Sequence, residues 1–232
     1  LVNRYSASAS EIVAGALQDY RRGIVVGQRT FGKGTVQSLE NLSEGQIKIT
    51  ESKYYRVNGM GTQNKGVVPD IELPTTWDIN TVGESSYPTA LAWDEIRPYR
   101  HKKFKMNYEL ISAVIMEFEY RLSEEPNLNY LKKVRNRYDL NKDKKFLSLN
   151  LDERKTQKEL RKNWLLEIEN ERRLGLDLNI FMSYEELEEY NQQEDIDNNS
   201  INLKNDYQLI ESTNIMNDFL NLSKKTMLSS LK

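Results

Sequence analysis

Apolar positions along the chain fall into two regimes, and the change lies between about residues 75 and 100. In the first, residues 10–20 have helical spacing, with Ile12, Ala16 and Tyr20 on one face. The run Gly23-Ile24-Val25-Val26-Gly27 is continuously apolar between glycines, as a strand buried on both faces would be. Residues 36–39, 46–49 and 53–57 predict further strands, the last two by alternation. Asn58-Gly59 marks a turn, and residues 67–74 are extended because a residue before proline avoids the helical region. In the second regime the period is helical. Residues 107–122 carry Leu110, Val114 and Phe118; residues 151–173 carry Leu160, Trp164 and Ile168; residues 205–227 carry Leu209, Ile215 and Phe219. The acidic stretch 185–197 predicts a solvated helix end followed by a loop.

Glycine follows the same division, since ten of the eleven glycines lie at or before Gly83 and only Gly175 lies beyond. The predicted fold class is an α/β (α+β) half domain over residues 1–75, a linker over 76–102, and a mostly α-helical extension over 103–232. The 232 residues are 38% hydrophobic and 29% charged, with a mean hydropathy of -0.72, so a modest core with much solvated helix is expected. Lys and Arg total 33 against 35 Asp and Glu, a balance without the excess base that nucleic-acid binding requires. The absence of cysteine excludes disulfides, thiolate metal sites and thiol nucleophiles. With a single histidine as well, a zinc site is not expected. No run of about 18 apolar residues exists to span a membrane. The chain opens at Leu1-Val2-Asn3-Arg4 and runs at once into a dense motif, so it reads as a fragment whose own N-terminus lies upstream.

That motif is Ser6-Ala7-Ser8-Ala9-Ser10-Glu11, placed where a strand hands over to a helix. A serine hydroxyl at such a turn is exposed, and the amides of the helix start can stabilise an oxyanion. Ser8-x-x-Glu11 is equally a capping box, in which the serine only satisfies helix amides. Downstream, Thr30-Phe31-Gly32-Lys33-Gly34-Thr35-Val36-Gln37 sets a lysine between two glycines, which permit tight turns and close backbone approach. A desolvated lysine amine can take a proton from a serine; a plain hairpin turn is the alternative. A phosphate-binding loop is set aside, because Gly34 stands where Ser or Thr would bind the metal. His101 sits in a basic patch with Arg97, Arg100, Lys102 and Lys103, and reads as a surface residue.

Taken together, Asn3-Arg4-Tyr5-Ser6-Ala7-Ser8-Ala9-Ser10-Glu11, Gln18-Asp19-Tyr20 and Phe31-Gly32-Lys33-Gly34-Thr35-Val36-Gln37 resemble the C-terminal processing peptidases. Lys53-Tyr54-Tyr55-Arg56-Val57-Asn58-Gly59 and Lys65-Gly66-Val67-Val68-Pro69-Asp70-Ile71 continue the resemblance to about residue 74. It is closest to the bacterial tail-specific branch, in which a helical tail follows the catalytic domain. The resemblance implies a serine–lysine dyad with Ser8 as nucleophile, Lys33 as general base and Gln37 orienting the lysine. It further implies a supporting role for Asp19, and the Ala9 N–H as one oxyanion donor, the other coming from an upstream glycine. No cofactor or metal is implied. The implied partners are protein or peptide substrates with apolar C-termini, and an adaptor protein on the helical domain. The implied location is the periplasm.

Overall fold

A computed structural model describes residues 1–76, 81–104, 108–197 and 206–229. Asn107 and Asn205, where two helices are predicted to begin, and residues 77–80 of the predicted linker lie outside these residues. The chain divides into two compact units, Leu1–Leu73 with Trp77–Ser112 and Pro74–Thr76 with Ala113–Lys232.

The first unit is built on very short parallel pairing. Strand β1 (Val26–Gly27) pairs with β4 (Ile71–Glu72), and Val2 bridges in parallel to Gly27. Here the Val2 N–H donates to Val26 O at 2.9 Å, and Val2 O accepts from the Gln28 N–H at 2.9 Å. Gly27 is obligatory at this crossing: its φ is 127°, and a Cβ would stand 1.9 Å from Val2 O. Only two residues of the apolar run 23–27 are strand, because the Val25 N–H donates to Asp70 Oδ2 at 2.8 Å instead of to a neighbouring strand. Val2, Ala14, Val25 and Val67 form the core of this unit.

Helix α1 (Ala9–Asp19) lies where predicted, but its buried face is not the one predicted. Glu11, Ala14, Gly15 and Asp19 are buried, whereas Ile12 and Ala16 are exposed. The buried stripe keeps the helical period and includes two carboxylates whose hydrogen bonds are met by distant loops. Apolar periodicity therefore points to the wrong side.

Strands β2 (Thr35–Asn41) and β3 (Gln46–Lys53) form an antiparallel ribbon with a register shift between Val36 and Gln37. The predicted strand 46–49 thus continues to Lys53, and the separate strand 53–57 does not form. Residues 54–56 instead lead into a turn at Val57–Asn58, with Tyr55 bridged antiparallel to Gly61, Tyr54 N–H on Gly34 O at 3.0 Å and Arg56 N–H on Met60 O at 2.9 Å. Residues 81–104 run along this same unit. Glu84 N–H donates to Phe31 O at 2.8 Å, Ile96 N–H to Gly59 O at 2.8 Å, Tyr99 N–H to Val57 O at 2.9 Å and Phe104 N–H to Tyr20 O at 2.9 Å.

The second unit is helical, with α2 (Tyr108–Glu124), α3 (Pro126–Asn141), α4 (Leu151–Gly175), α5 (Tyr184–Asp197) and α6 (Tyr207–Ser229). Three of these match predicted segments. The acidic stretch is fully helical as α5, and α3 was not predicted. Its apolar stripe is thin, and it starts on local chemistry: Pro126 occupies its first turn and the Glu125 carboxylate accepts the Leu128 N–H at 2.6 Å. Val114, Phe118, Leu128, Ile168, Phe181, Leu187 and Ile215 are buried and make the core. Gly175 ends α4 against the start of α3, where a Cβ would meet Pro126 Cγ at 2.5 Å. Among the described residues no helix is long and apolar enough to cross a membrane, and no cluster of His, Asp and Glu could hold a metal.

Candidate active site

Ser8 stands immediately before α1 with φ 56° and ψ -114°. That left-handed conformation is costly for a residue with a side chain and persists only where surrounding bonds enforce it. Those bonds are present. Ser8 O accepts from Glu11 N–H at 2.9 Å and Ile12 N–H at 3.1 Å, and Ala7 O accepts from Ser10 N–H at 3.2 Å. Ala9, the first helical residue, is exposed, and its N–H has no protein acceptor among the described residues.

The side chain that organises this turn is Glu11, which is 0% exposed. Its Oε2 accepts the backbone N–H of Ser8 at 2.8 Å and of Lys33 at 2.9 Å. Its Oε1 accepts the Thr30 hydroxyl at 2.5 Å and the Gly32 N–H at 2.7 Å. One carboxylate thus fastens the serine turn to the lysine loop. Burial pushes its pKa up, while the hydrogen bonds from Thr30, Gly32, Ser8 and Lys33 act against that rise.

The two glycines beside Lys33 are needed for the loop to lie flat against residues 62–64. Gly32 has φ 94° and a Cβ there would be 2.9 Å from Asn64 backbone atoms; a Cβ at Gly34 would be 2.5 Å from the Gln63 nitrogen. Gln63, itself buried, accepts the Gly34 N–H on Oε1 at 2.9 Å and donates to Glu84 Oε1 at 3.0 Å. From the other side, the Tyr54 hydroxyl lies 3.3 Å from Ser8 O and 3.2 Å from Lys33 O, placed to donate to either. Burial, with the nearby Glu11 charge adding to it, pushes the Tyr54 pKa up to about 12.

The backbone amides of Ser8 and Lys33 are therefore drawn together on Glu11, with Ala9 next to Ser8 in the chain. Gln37 lies four residues beyond Lys33 on β2, exposed, with its amide donating to Thr50 Oγ1 at 3.1 Å. Asp19 is at the opposite end of α1, about 16 Å along the axis from Ser8. There it forms a two-pronged pair with Arg56, through Nε at 2.9 Å and Nη2 at 2.5 Å, and accepts the Asn58 amide at 2.8 Å. His101 lies beside this pair, Nε2 3.2 Å from Asp19 O and Nδ1 2.9 Å from Tyr99 O, its ring edge-on to Tyr20.

Comparison with known proteins now bears on both units. Residues 1–73 match the family described as Peptidase family S41, and residues 77–221 match that described as C-terminal domain of tail specific protease. The chain belongs to the tail-specific protease C-terminal-domain family. The tail-specific protease of Haemophilus influenzae is 44% identical over 172 residues, which are 68% of this chain and 24% of that relative. The carboxy-terminal-processing protease of Bartonella bacilliformis is 51% identical over 72 residues, 31% of this chain and 17% of the relative. This chain thus spans about a quarter or less of the length of these relatives. Among solved structures, a photosystem II D1 C-terminal processing protease is 46% identical over 31% of this chain and 19% of that one, with a TM-score of 0.30.

Within the portion matching the peptidase family, the sequence alone did not single out Thr30, Tyr54, Arg56 or Gln63, and it gave Glu11 only a capping role. Glu11 does have a legible signal in Ser8-x-x-Glu11. Tyr54 and Gln63 have none, because their partners lie 46 and 29 residues away.

Proposed function

We propose that this chain is the C-terminal part of a serine endopeptidase that processes or degrades proteins from their C-terminal tails. Residues 1–75 supply one half of its catalytic domain and residues 103–232 a helical domain appended to it. Ser8 is the nucleophile and Lys33 the general base, with Gln37 orienting Lys33. Asp19 supports the site from a distance, by holding Arg56. The observation that carries this reading is the Glu11 carboxylate, which accepts the Ser8 and Lys33 amides on the same oxygen at 2.8 and 2.9 Å. Resemblance in sequence and family membership give it its chemistry.

In the proposed reaction, a free Lys33 amine takes the Ser8 Oγ proton as that oxygen bonds to the scissile carbonyl carbon. The carbonyl becomes an oxyanion, met by the Ala9 N–H and by a second donor from outside this sequence. Lys33 then passes its proton to the leaving amine as the C–N bond breaks, and water hydrolyses the resulting ester. The substrate is an extended polypeptide with an apolar C-terminus. The helical domain receives an adaptor protein, and the enzyme works in the periplasm.

The test uses the full-length protein and an unfolded substrate with an apolar C-terminus. Wild type is expected to cleave, and Ser8→Ala and Lys33→Ala each to lose roughly a thousandfold or more in kcat/KM. Cleavage by either variant at the wild-type rate would sink the dyad.

A further inference from the structure

The strongest unassigned feature is the tip of the hairpin formed by α3 and α4. The connecting segment reads Lys142-Asp143-Lys144-Lys145-Phe146-Leu147-Ser148-Leu149-Asn150. Phe146 is 91% exposed and Leu149 is 99% exposed, with Leu147 and Leu151 also open to solvent. Residues 151–161 of α4 are exposed at every position, so the first three turns of that helix project from the helical pack together with the loop. Large apolar side chains gathered this densely on a protruding tip are not the scattered exposure that any surface shows.

The tip is net basic as well, with acidic side chains among the bases. Residues 131–160 contain ten basic and five acidic side chains, although the whole chain carries a net charge of -2. Part of that base is already engaged: Lys133 pairs with Glu171 at 2.6 Å, and Arg135 and Lys142 both pair with Asp139. Lys144, Lys145, Arg154, Lys155 and Lys158 are exposed near the apolar residues, and they outnumber the exposed acids there, which include Asp143, Asp152 and Glu153. Asn150 fixes the geometry, capping α4 by accepting the Asp152 and Glu153 amides at 2.9 and 3.2 Å. The cap therefore fixes where α4 begins, directly after the exposed apolar residues.

We propose that this tip docks onto an anionic lipid surface, with Phe146, Leu147 and Leu149 entering the headgroup boundary and the surrounding lysines facing lipid phosphates. Aromatic and leucine side chains favour that boundary, and each lysine near an anionic surface adds attraction. Net positive charge beside exposed apolar side chains is the complement of an anionic lipid surface. The inference does not depend on the peptidase assignment, and it requires no membrane-spanning helix.

The measurement is sedimentation of the full-length protein with vesicles of phosphatidylglycerol and phosphatidylcholine, and with vesicles of phosphatidylcholine alone. Binding is expected only to the anionic vesicles. The double variant Phe146→Ser/Leu149→Ser and the charge reversal Lys144→Glu/Lys145→Glu should each weaken it at least about tenfold. Because all four side chains are exposed, both variants should keep wild-type thermal stability and peptidase rate. Equal sedimentation of the variants would overturn the proposal, as would no binding to anionic vesicles. Protection of residues 144–151 from hydrogen exchange in the lipid-free full-length protein would overturn it too, since the tip would then be docked on protein.

Discussion

In the first unit, apart from the Asp19–Arg56 pair, buried polar side chains mostly hold backbone groups. Glu11 accepts three amides, Gln63 accepts that of Gly34, and Arg4 donates to Thr30 O at 2.6 Å. In the second unit, comparable side chains hold one another. Arg121 meets Glu211 and Asp218, each at 2.7 Å, and Arg172 meets Glu169 at 2.6 Å and Asn127 at 2.9 Å. The difference follows from backbone regularity. Helices satisfy their own amides, whereas two-residue strands and glycine loops leave buried amides that side chains must satisfy. A region built the first way can hold a nucleophile in a strained turn. It is also sensitive to small polar changes that a helical pack would tolerate.

The sharpest way to break that contrast is Glu11→Gln. Glutamine keeps one acceptor oxygen and sets an NH2 group against two of the four donors. The expected cost is about 3–5 kcal/mol in the first unit, since lost charged bonds and orphaned buried donors add together. Peptidase activity of the full-length protein should fall with it, because the Ser8 turn and the Lys33 loop lose their common anchor. Urea unfolding and kcat/KM check both. A variant with wild-type stability and rate would show that the two loops are held by something else.

The same contrast explains what could be read without coordinates. Helices α2, α4 and α6 announce themselves because long apolar stripes at the helical period have few other outcomes. Helix α3 escapes that test, its signal being the cap at Glu125 and the proline at 126. The α1 stripe misleads for the reason the site exists: two of its buried positions are carboxylates, so hydropathy assigns them to solvent. Ser8 and Lys33 are proposed as a pair from their motifs. Their junction is not legible there, because it depends on a loop folding back over 22 residues onto Glu11, and no local spacing encodes that. Residues 81–104 look like linker in composition and have little regular structure, yet their backbone amides reach acceptors on the first unit.

A second substitution sharpens the comparison from the helical side. Leu128 of α3 is 1% exposed within the apolar core of the second unit. Leu128→Ala removes buried methyl groups and leaves a cavity between packed helices, at a cost of about 2–5 kcal/mol. Hydrogen exchange should accelerate in α3 and α4, while the amides of Ser8, Gly32 and Lys33 keep their protection. Loss of protection at those three amides would show that apolar packing in the second unit also holds the site, against the division drawn above.

The smallest effect comes from an acid that resembles Glu11 in chemistry but is open to solvent. Asp94 pairs with Lys53 Nζ at 3.1 Å and accepts the Tyr55 hydroxyl at 3.0 Å. The Lys53 ammonium, helped by Tyr55, holds the Asp94 carboxyl below the usual carboxylate range. A carboxyl depressed in the folded state contributes stability above its unfolded pKa and loses it as pH falls through the lower, folded value. Asp94→Asn should therefore leave a shallower decline in stability on acidification than wild type shows, with the two curves meeting at the acid end. Urea unfolding followed from about pH 7 to about pH 2 measures this. Solvent screening keeps the gap small at neutral pH, far below that of Glu11→Gln. A gap as large as that of Glu11→Gln would mean that burial is not what separates the two carboxylates, and the contrast between exposed and buried acids would fail within a single unit.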